Sequence, residues 1–593
     1  MKQEALPSWN LGDLFKGLED RNIAVAMKKV EGAAKKFAVA NRGKLKRIGA
    51  SPKEMLRLLK SYEALLTEAA KPIIYAQLLF SDSCAEQKRG AFLQRIKTWH
   101  TDIEKELLFF ELELSNLGIE KLRKLAKSPE LVLYRNFLHQ ISLQKEHRLK
   151  ENEEQILSDK NLTGREAFIR LFDQELSQKE FRLLKKGKEL KLQEAEVLSM
   201  LYDSKRSVRK QGADALTQGL KEEAPRLAFI FNTLIEDKAI EDRLRNFAFP
   251  EAARHLANQI SKEMVDTMGG VVVKHFPVVQ DFYRFKRKIL KLDVLYDYDR
   301  YAPVSKIEKK ISFKEAEDLV LEAFFKFSKS YGEIAVKFFK NKWVDAAKRP
   351  GKRGGAFCSF VTPDCHPYVF MNFNGNVRDV FTLAHELGHG IHAYLMKGQG
   401  YLNYDVPLTV AETASVFAEM LLFEHLAEEI KSPKELLALY VNKVESIFAT
   451  VFRQISLFRF EQELHETRRK KGELLVEEIN QIWRRSQEEM FGNSVKLSES
   501  YDWWWSYIPH FIHTPFYVYA YAYGELLTLS LYARYKKEPG DFVDLYLELL
   551  RQGSSKQPSE LLAPFKIDMR NKAFWEEGIS LIKNLVSKTK SFA

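Results

Sequence analysis

Apolar side chains recur at three- and four-residue intervals over most of the 593 positions, the period of one helix face. Met55, Leu58, Leu59, Tyr62, Leu65 and Leu66 form one such stripe. Ahead of it, Ser51-Pro52-Lys53-Glu54 combines a capping box with proline at the first helical position. Thr163-Gly164-Arg165-Glu166 predicts a second helix start of the same kind. The short basic runs at 185–188 and 468–471 lie in charge-rich sequence that reads as helical, so they are expected to be solvated faces. No short-period repeat is evident, although long charged helices recur.

One region breaks the helical period. Between residues 349 and 376, glycines and prolines punctuate two apolar runs, 356–361 and 368–373. That pattern predicts a β-hairpin connected by residues 362–367, followed by a helix from near Asn376. The expected fold class is therefore mostly α, with a small β-sheet directly ahead of one helix. The length calls for more than one domain or lobe. A boundary near residue 200, where a Lys/Glu-rich stretch ends, separates an N-terminal helical lobe, 1–200, from a domain at 201–593.

Composition narrows the function classes. Apolar residues make up 45% and charged residues 29%, as in an ordinary folded soluble chain. Three cysteines, Cys84, Cys358 and Cys365, are too few for a disulfide framework and fit a reducing compartment. Cys358, Cys365 and His366 lack the second pair that a structural metal site needs, so the two thiols read as small strand residues. The net charge of +12 comes from lysines and arginines interspersed with acids, which argues against a nucleic-acid surface. The longest uncharged stretch, 503–524, holds Pro509, Pro515, His510, His513 and many tyrosines, so a membrane span is not expected. The N-terminus has no apolar run of signal-peptide length.

The chemistry concentrates at His385-Glu386-Leu387-Gly388-His389. Residues four apart share a helix face, so both histidines can reach one ion. Zinc favours imidazole and, in catalytic sites, keeps a position open for water. Glu386 can then act on that water as general base. Gly388 and Gly390 each weaken a helix by about 1 kcal/mol, so something is expected to approach the helix closely there. Asp405, Glu412 and Glu419 are candidates for the third ligand. Glu412, Ser415 and Glu419 share a face of an Ala-rich helix where one carboxylate can ligate and another support. His392 is expected to support rather than ligate.

At these residues the chain resembles the oligoendopeptidase F group of the thimet-oligopeptidase-like zinc peptidases. The shared pattern is His-Glu-x-Gly-His followed by Glu-x-x-Ser, here Glu412-Thr413-Ala414-Ser415. The resemblance extends to Trp9-Asn10-Leu11-Gly12-Asp13-Leu14, to Tyr283-Arg284-Phe285-Lys286, to Tyr296-Asp297-Tyr298-Asp299 and to Lys352-Arg353-Gly354-Gly355-Ala356-Phe357. It also covers Pro509-His510-Phe511 with Pro515-Phe516-Tyr517-Val518-Tyr519-Ala520-Tyr521. Ile512 stands where the group often has an aromatic residue, and a glycine-rich loop of more distant members is missing.

The resemblance implies two helical lobes around a deep substrate channel, one zinc ion per chain, and Glu412 as third ligand beside His385 and His389. It implies a cytoplasmic endopeptidase that cleaves short unfolded oligopeptides, with no nucleic-acid or membrane partner. His510, Tyr517 and Tyr521 are expected to donate to the oxyanion, and fall on roughly one face if their segment is helical. The rival expectation is a metallocarboxypeptidase of similar helical build.

Overall fold

The computed structural model describes residues 6–48, 51–185, 188–305 and 310–593. The expected stripe at Met55, Leu58, Leu59, Tyr62 and Leu65 is buried along the helix Pro52–Asp82. Proline opens that helix, yet Ser51 makes no side-chain cap bond. The second expected start is displaced. Thr163 ends the helix Glu151–Thr163, and Gly164 is the cap residue of Arg165–Gln178. The described residues of the basic run at 185–188 are not in helix. Its described ends belong to an antiparallel pair, Phe181–Lys185 with Lys188–Leu192, while Lys186 and Gly187 lie outside the described residues.

Helices dominate, and the described residues hold only two small sheets. The chain forms two compact units. The first gathers Met1–Glu146, Glu308–Glu429 and Arg534–Asp568. Within it, Arg21–Asn41, Pro52–Asp82 and Gln87–Ser115 pack on one another, and the hairpin of Phe313–Phe327 and Lys329–Lys340 packs on the helices that carry the metal motif. The second gathers His147–Ile307, Ile430–Ala533 and Met569–Ala593. Its longest element, Arg206–Leu244, packs against Phe452–Lys471, Val476–Phe491 and the 3₁₀ turn Glu499–Trp503. No helix among the described residues is long and apolar enough to cross a membrane.

The three-stranded sheet lies in the first unit. Phe357–Ser359 pairs antiparallel with Tyr368–Phe370, within the runs that the sequence marked. Cys358 lies in the first of these strands, whereas Cys365 falls in their connection. A third strand, Val344–Asp345, adds parallel to Tyr368–Phe370 and was not expected. Trp9 packs on Tyr368 and Phe370, and the Tyr368 hydroxyl donates to the Asn10 carbonyl. The N-terminal Trp-Asn pair therefore anchors the sheet. His366 stacks on Trp343 and pairs with Asp13 at 2.9 Å, which gives it a structural role.

Candidate active site

The motif helix runs Val377–Leu395 and starts where the sequence placed it. Asn376 Oδ1 accepts from the Asp379 backbone N–H, while Asp379 Oδ2 accepts from the N–H groups of Asn376 and Asn374. This reciprocal cap fixes the helix start against the end of the sheet. A companion helix, Leu408–Glu429, carries Glu412, Ser415 and Glu419. The approach that Gly388 and Gly390 suggested is present at both. A Cβ on Gly388 would lie 2.6 Å from the Ala414 carbonyl oxygen and 2.7 Å from Ser415 Cα. A Cβ on Gly390 would lie 2.5 Å from the Phe338 ring. Any larger residue at 388 pushes the two helices apart.

That contact brings His385, His389 and Glu412 together, each offering one ligand atom within 4.8 Å of the others. The Nε2 atoms of His385 and His389 stand 3.4 and 3.6 Å from Glu412 Oε2. These separations are long for hydrogen bonds. They suit neighbouring corners of a tetrahedron with bonds of about 2.1 Å, whose edges are about 3.4 Å. Two imidazoles and one carboxylate are also the donor set of a catalytic zinc. The residues present fit that ion.

Two of the donors, His385 and Glu412, are held by further partners. Glu419 Oε1 accepts from His385 Nδ1 at 2.7 Å, which leaves Nε2 free to bind metal. The Ser415 hydroxyl donates to Glu412 Oε2 at 2.7 Å. Asp405, the remaining candidate, is exposed and stands outside the cluster. His392 is buried, its Nδ1 has no hydrogen-bond partner, and it too lies outside the donor set.

Glu386 is 6% exposed, and its Oε2 is closed from solvent without a partner. Burial raises its carboxyl to about 7, and the charges of Glu412 and Glu419 add to that. Burial opposes the protonation of His385, but the Glu419 hydrogen bond and the carboxylates outweigh it and bring His385 to about 9 without metal. Burial lowers His389 to about 4.

In the second unit, His510, Tyr517 and Tyr521 do converge, though not on one helix face. His510 opens the short helix His510–His513, Tyr521 lies in Val518–Lys537, and Tyr517 precedes it. Between them the chain turns at Phe516, whose φ of 59° is left-handed. The turn brings His510 Nε2 to 3.3 Å from the Tyr521 hydroxyl, with the Tyr517 and Tyr521 rings 4.9 Å apart.

Sequence reasoning missed the group that holds this turn. Glu461, fully buried in Phe452–Lys471, accepts the Phe516 N–H at 2.8 Å, and its Oε2 has no partner. A glutamate in an apolar helical stripe was the available signal. Burial pushes its carboxyl up to about 8. An unfolded glutamate releases its proton near 4.5, so folding takes up a proton between those values. This group's contribution to stability therefore falls as pH rises from about 4.5 to 8, and the loss is complete above. Glu461→Gln should flatten that slope. Calorimetric Tm of variant and wild type at pH 5.5 and 8.5 checks this: the variant should gain relative to wild type at pH 8.5, and a constant difference would refute it.

The fold and the donor set define a mostly helical metallopeptidase. A sequence model described as peptidase family M3 matches residues 199–581, and one described as Oligopeptidase F matches residues 113–181. The chain belongs to peptidase family M3. Oligopeptidase PepF of Bacillus subtilis is 26% identical over 604 residues, covering 99% of this chain and 88% of that protein. An oligoendopeptidase F homolog of Borreliella burgdorferi is 27% identical over 539 residues, 90% of each. A solved structure from Chlamydophila abortus superposes with a TM-score of 0.86 at 24% identity, covering 99% of this chain and 98% of that one. Oligoendopeptidase-F from Enterococcus faecium superposes at 0.71 with 21% identity, covering 96% and 97%.

Proposed function

We propose that this chain is a zinc-dependent endopeptidase that hydrolyses internal bonds of short, unfolded oligopeptides. The observation that carries the reading is the His385–His389–Glu412 donor triad beside an unpartnered Glu386 oxygen. Bound there, zinc supplies a Lewis acid that polarises the scissile carbonyl and eases deprotonation of an attacking water. Glu386 takes the proton from that water and delivers it to the leaving nitrogen. Glu419 keeps His385 in the tautomer that offers Nε2, and Ser415 orients Glu412. His510, Tyr517 and Tyr521 donate hydrogen bonds to the developing oxyanion, a role their mutual contacts support.

The reading keeps an N-terminal helical lobe, 1–200, and a catalytic domain, 201–593; the M3 match beginning at residue 199 supports that division. Three free thiols support a cytoplasmic setting. The relatives named oligopeptidase support peptides as substrates.

The test is a ladder of end-blocked peptides of about 5 to 20 residues and a compact folded domain, incubated with and without a chelator. Mass spectrometry should show internal cuts in the peptides, an intact domain and no cuts under chelation, because a folded chain must open locally to reach partly buried ligands. Single residues released only from free C-termini would make the chain a metallocarboxypeptidase. Cutting indifferent to chelation would remove the metal from the reading.

A further inference from the structure

One face of the helix Phe452–Lys471 closes on a single residue of the turn described above. Phe458, Glu461 and His465 follow one another at intervals of three and four positions, the spacing of a shared helix face. Glu461 takes the Phe516 N–H, and the rings of His465 and Phe458 pack on the Phe516 ring with centroids 4.6 and 6.2 Å away. Glu461 and Phe516 are fully buried, and His465 is almost so. Glu461 Oε2 and both ring nitrogens of His465 are closed from solvent without a partner. Polar atoms withdrawn in this way are unfavourable, and a bulky residue at a φ of 59° is strained. Stability alone therefore does not account for the carboxylate. Backbone strain of this kind persists where the surroundings enforce it, and it clusters at functional sites.

The clamped turn divides the side chains that follow it. Phe516, Val518 and Tyr519 point into the core. Phe458 also meets the Tyr519 ring at 5.1 Å, and the Tyr519 hydroxyl lies 2.9 Å from both His255 Nδ1 and Asn258 Nδ2. Tyr517 and Tyr521 stay partly exposed and gather at His510. Fixing the backbone at Phe516 thus fixes the direction in which Tyr517 leaves it and the start of the helix that carries Tyr521.

We infer that Glu461 is a positioning residue, which through the Phe516 amide sets the oxyanion donors Tyr517 and Tyr521 against His510 while His465 and Phe458 hold the ring of the same residue. The inference rests on the role proposed above for those donors. The task needs an acceptor at 461 and not a charge. Burial raises the Glu461 carboxyl to about 8, so glutamine, neutral and equally an acceptor, is its conservative replacement near neutral pH. Methionine has a similar length and no comparable acceptor.

The test follows hydrolysis of an end-blocked octapeptide, together with amide hydrogen exchange across residues 514–521. It compares wild type, Glu461→Gln, Glu461→Met and the pair Tyr517→Phe with Tyr521→Phe, the pair also being combined with Glu461→Met. Glu461→Met should lower kcat by about 10- to 100-fold, the scale for donors misplaced by about 1 Å, with KM little changed. Glu461→Gln should stay within a few-fold of wild type, on the order of a retained neutral hydrogen bond. The tyrosine pair should cost about 10²- to 10³-fold in wild type and under about 10-fold in the Met background, because groups that act as a unit are not additive. The Phe516 amide should exchange slowly in wild type and in Glu461→Gln, and quickly in Glu461→Met. Additive losses, an unchanged kcat in Glu461→Met, or a Gln variant as impaired as Met would overturn the inference and leave the hydrolase reading standing. Fast exchange at Phe516 in wild type overturns it without any variant having to fold. A tyrosine pair with wild-type kcat also overturns it, since no donor then needs placing. A wild type that cuts no peptide refutes the hydrolase reading itself and with it any catalytic part for Glu461.

Discussion

Glu386→Gln is expected to lower kcat by about 10²- to 10⁴-fold while zinc content stays at one ion per chain, the range for loss of a positioned general base. The two halves of this expectation have separate grounds. Glu386 is outside the donor triad, so an amide of the same shape leaves all three ligand atoms in place. The carboxylate oxygen it replaces is buried beside the donor triad with no protein partner, positioned for a proton that the protein itself does not provide. Parallel measurement of turnover and bound metal separates the outcomes. Turnover near wild type would remove Glu386 as base, and lost zinc would show that the residue supports the ligands instead.

Glu412→Ala and Glu419→Ala should separate in metal affinity. Removing Glu412 leaves only the two imidazoles of the donor triad, so zinc affinity should fall by more than about 100-fold. Removing Glu419 leaves all three ligand atoms but frees the His385 ring, with an expected loss of about 10- to 100-fold. Competition titrations with a chromogenic chelator give both constants. The opposite order would exchange the roles of the two carboxylates.

The motif was legible because a helix converts sequence spacing directly into shared face, as at His385 and His389. The hairpin was legible because its apolar runs are bounded by glycine and proline. The strand Val344–Asp345 was not, since two residues carry no periodicity and their pairing with Tyr368–Phe370 is non-local. The helix start at Arg165 was misplaced by one residue because Gly164, with no side-chain acceptor, takes the cap position that Thr163 offered. At 181–185 and 188–192 a charge-rich run forms a two-stranded ribbon, with the Phe181 ring packed closely over Gly219 of a distant helix, a non-local contact. The convergence of His510, Tyr517 and Tyr521 was anticipated for a different geometric reason. A left-handed Phe516, held by Glu461 from another helix, is invisible to any local pattern.

The backbone contact at Gly388 also bears on which ions the site can accept. The carbonyl of Ala414 and the Cα of Ser415 lie where a side chain would start, so neither helix can move closer to follow a small cation. Glu419 and Ser415 pin the donors on either side. A pliable loop adjusts its span to whatever cation arrives, whereas this frame presents a hole of nearly fixed radius. Discrimination among divalent ions then follows from bond length: one with longer bonds to nitrogen and oxygen must strain the donors or drop one of them. The glycine that lets the helices touch thus acts as a size gauge, three positions after the first imidazole that would coordinate the ion and one before the second.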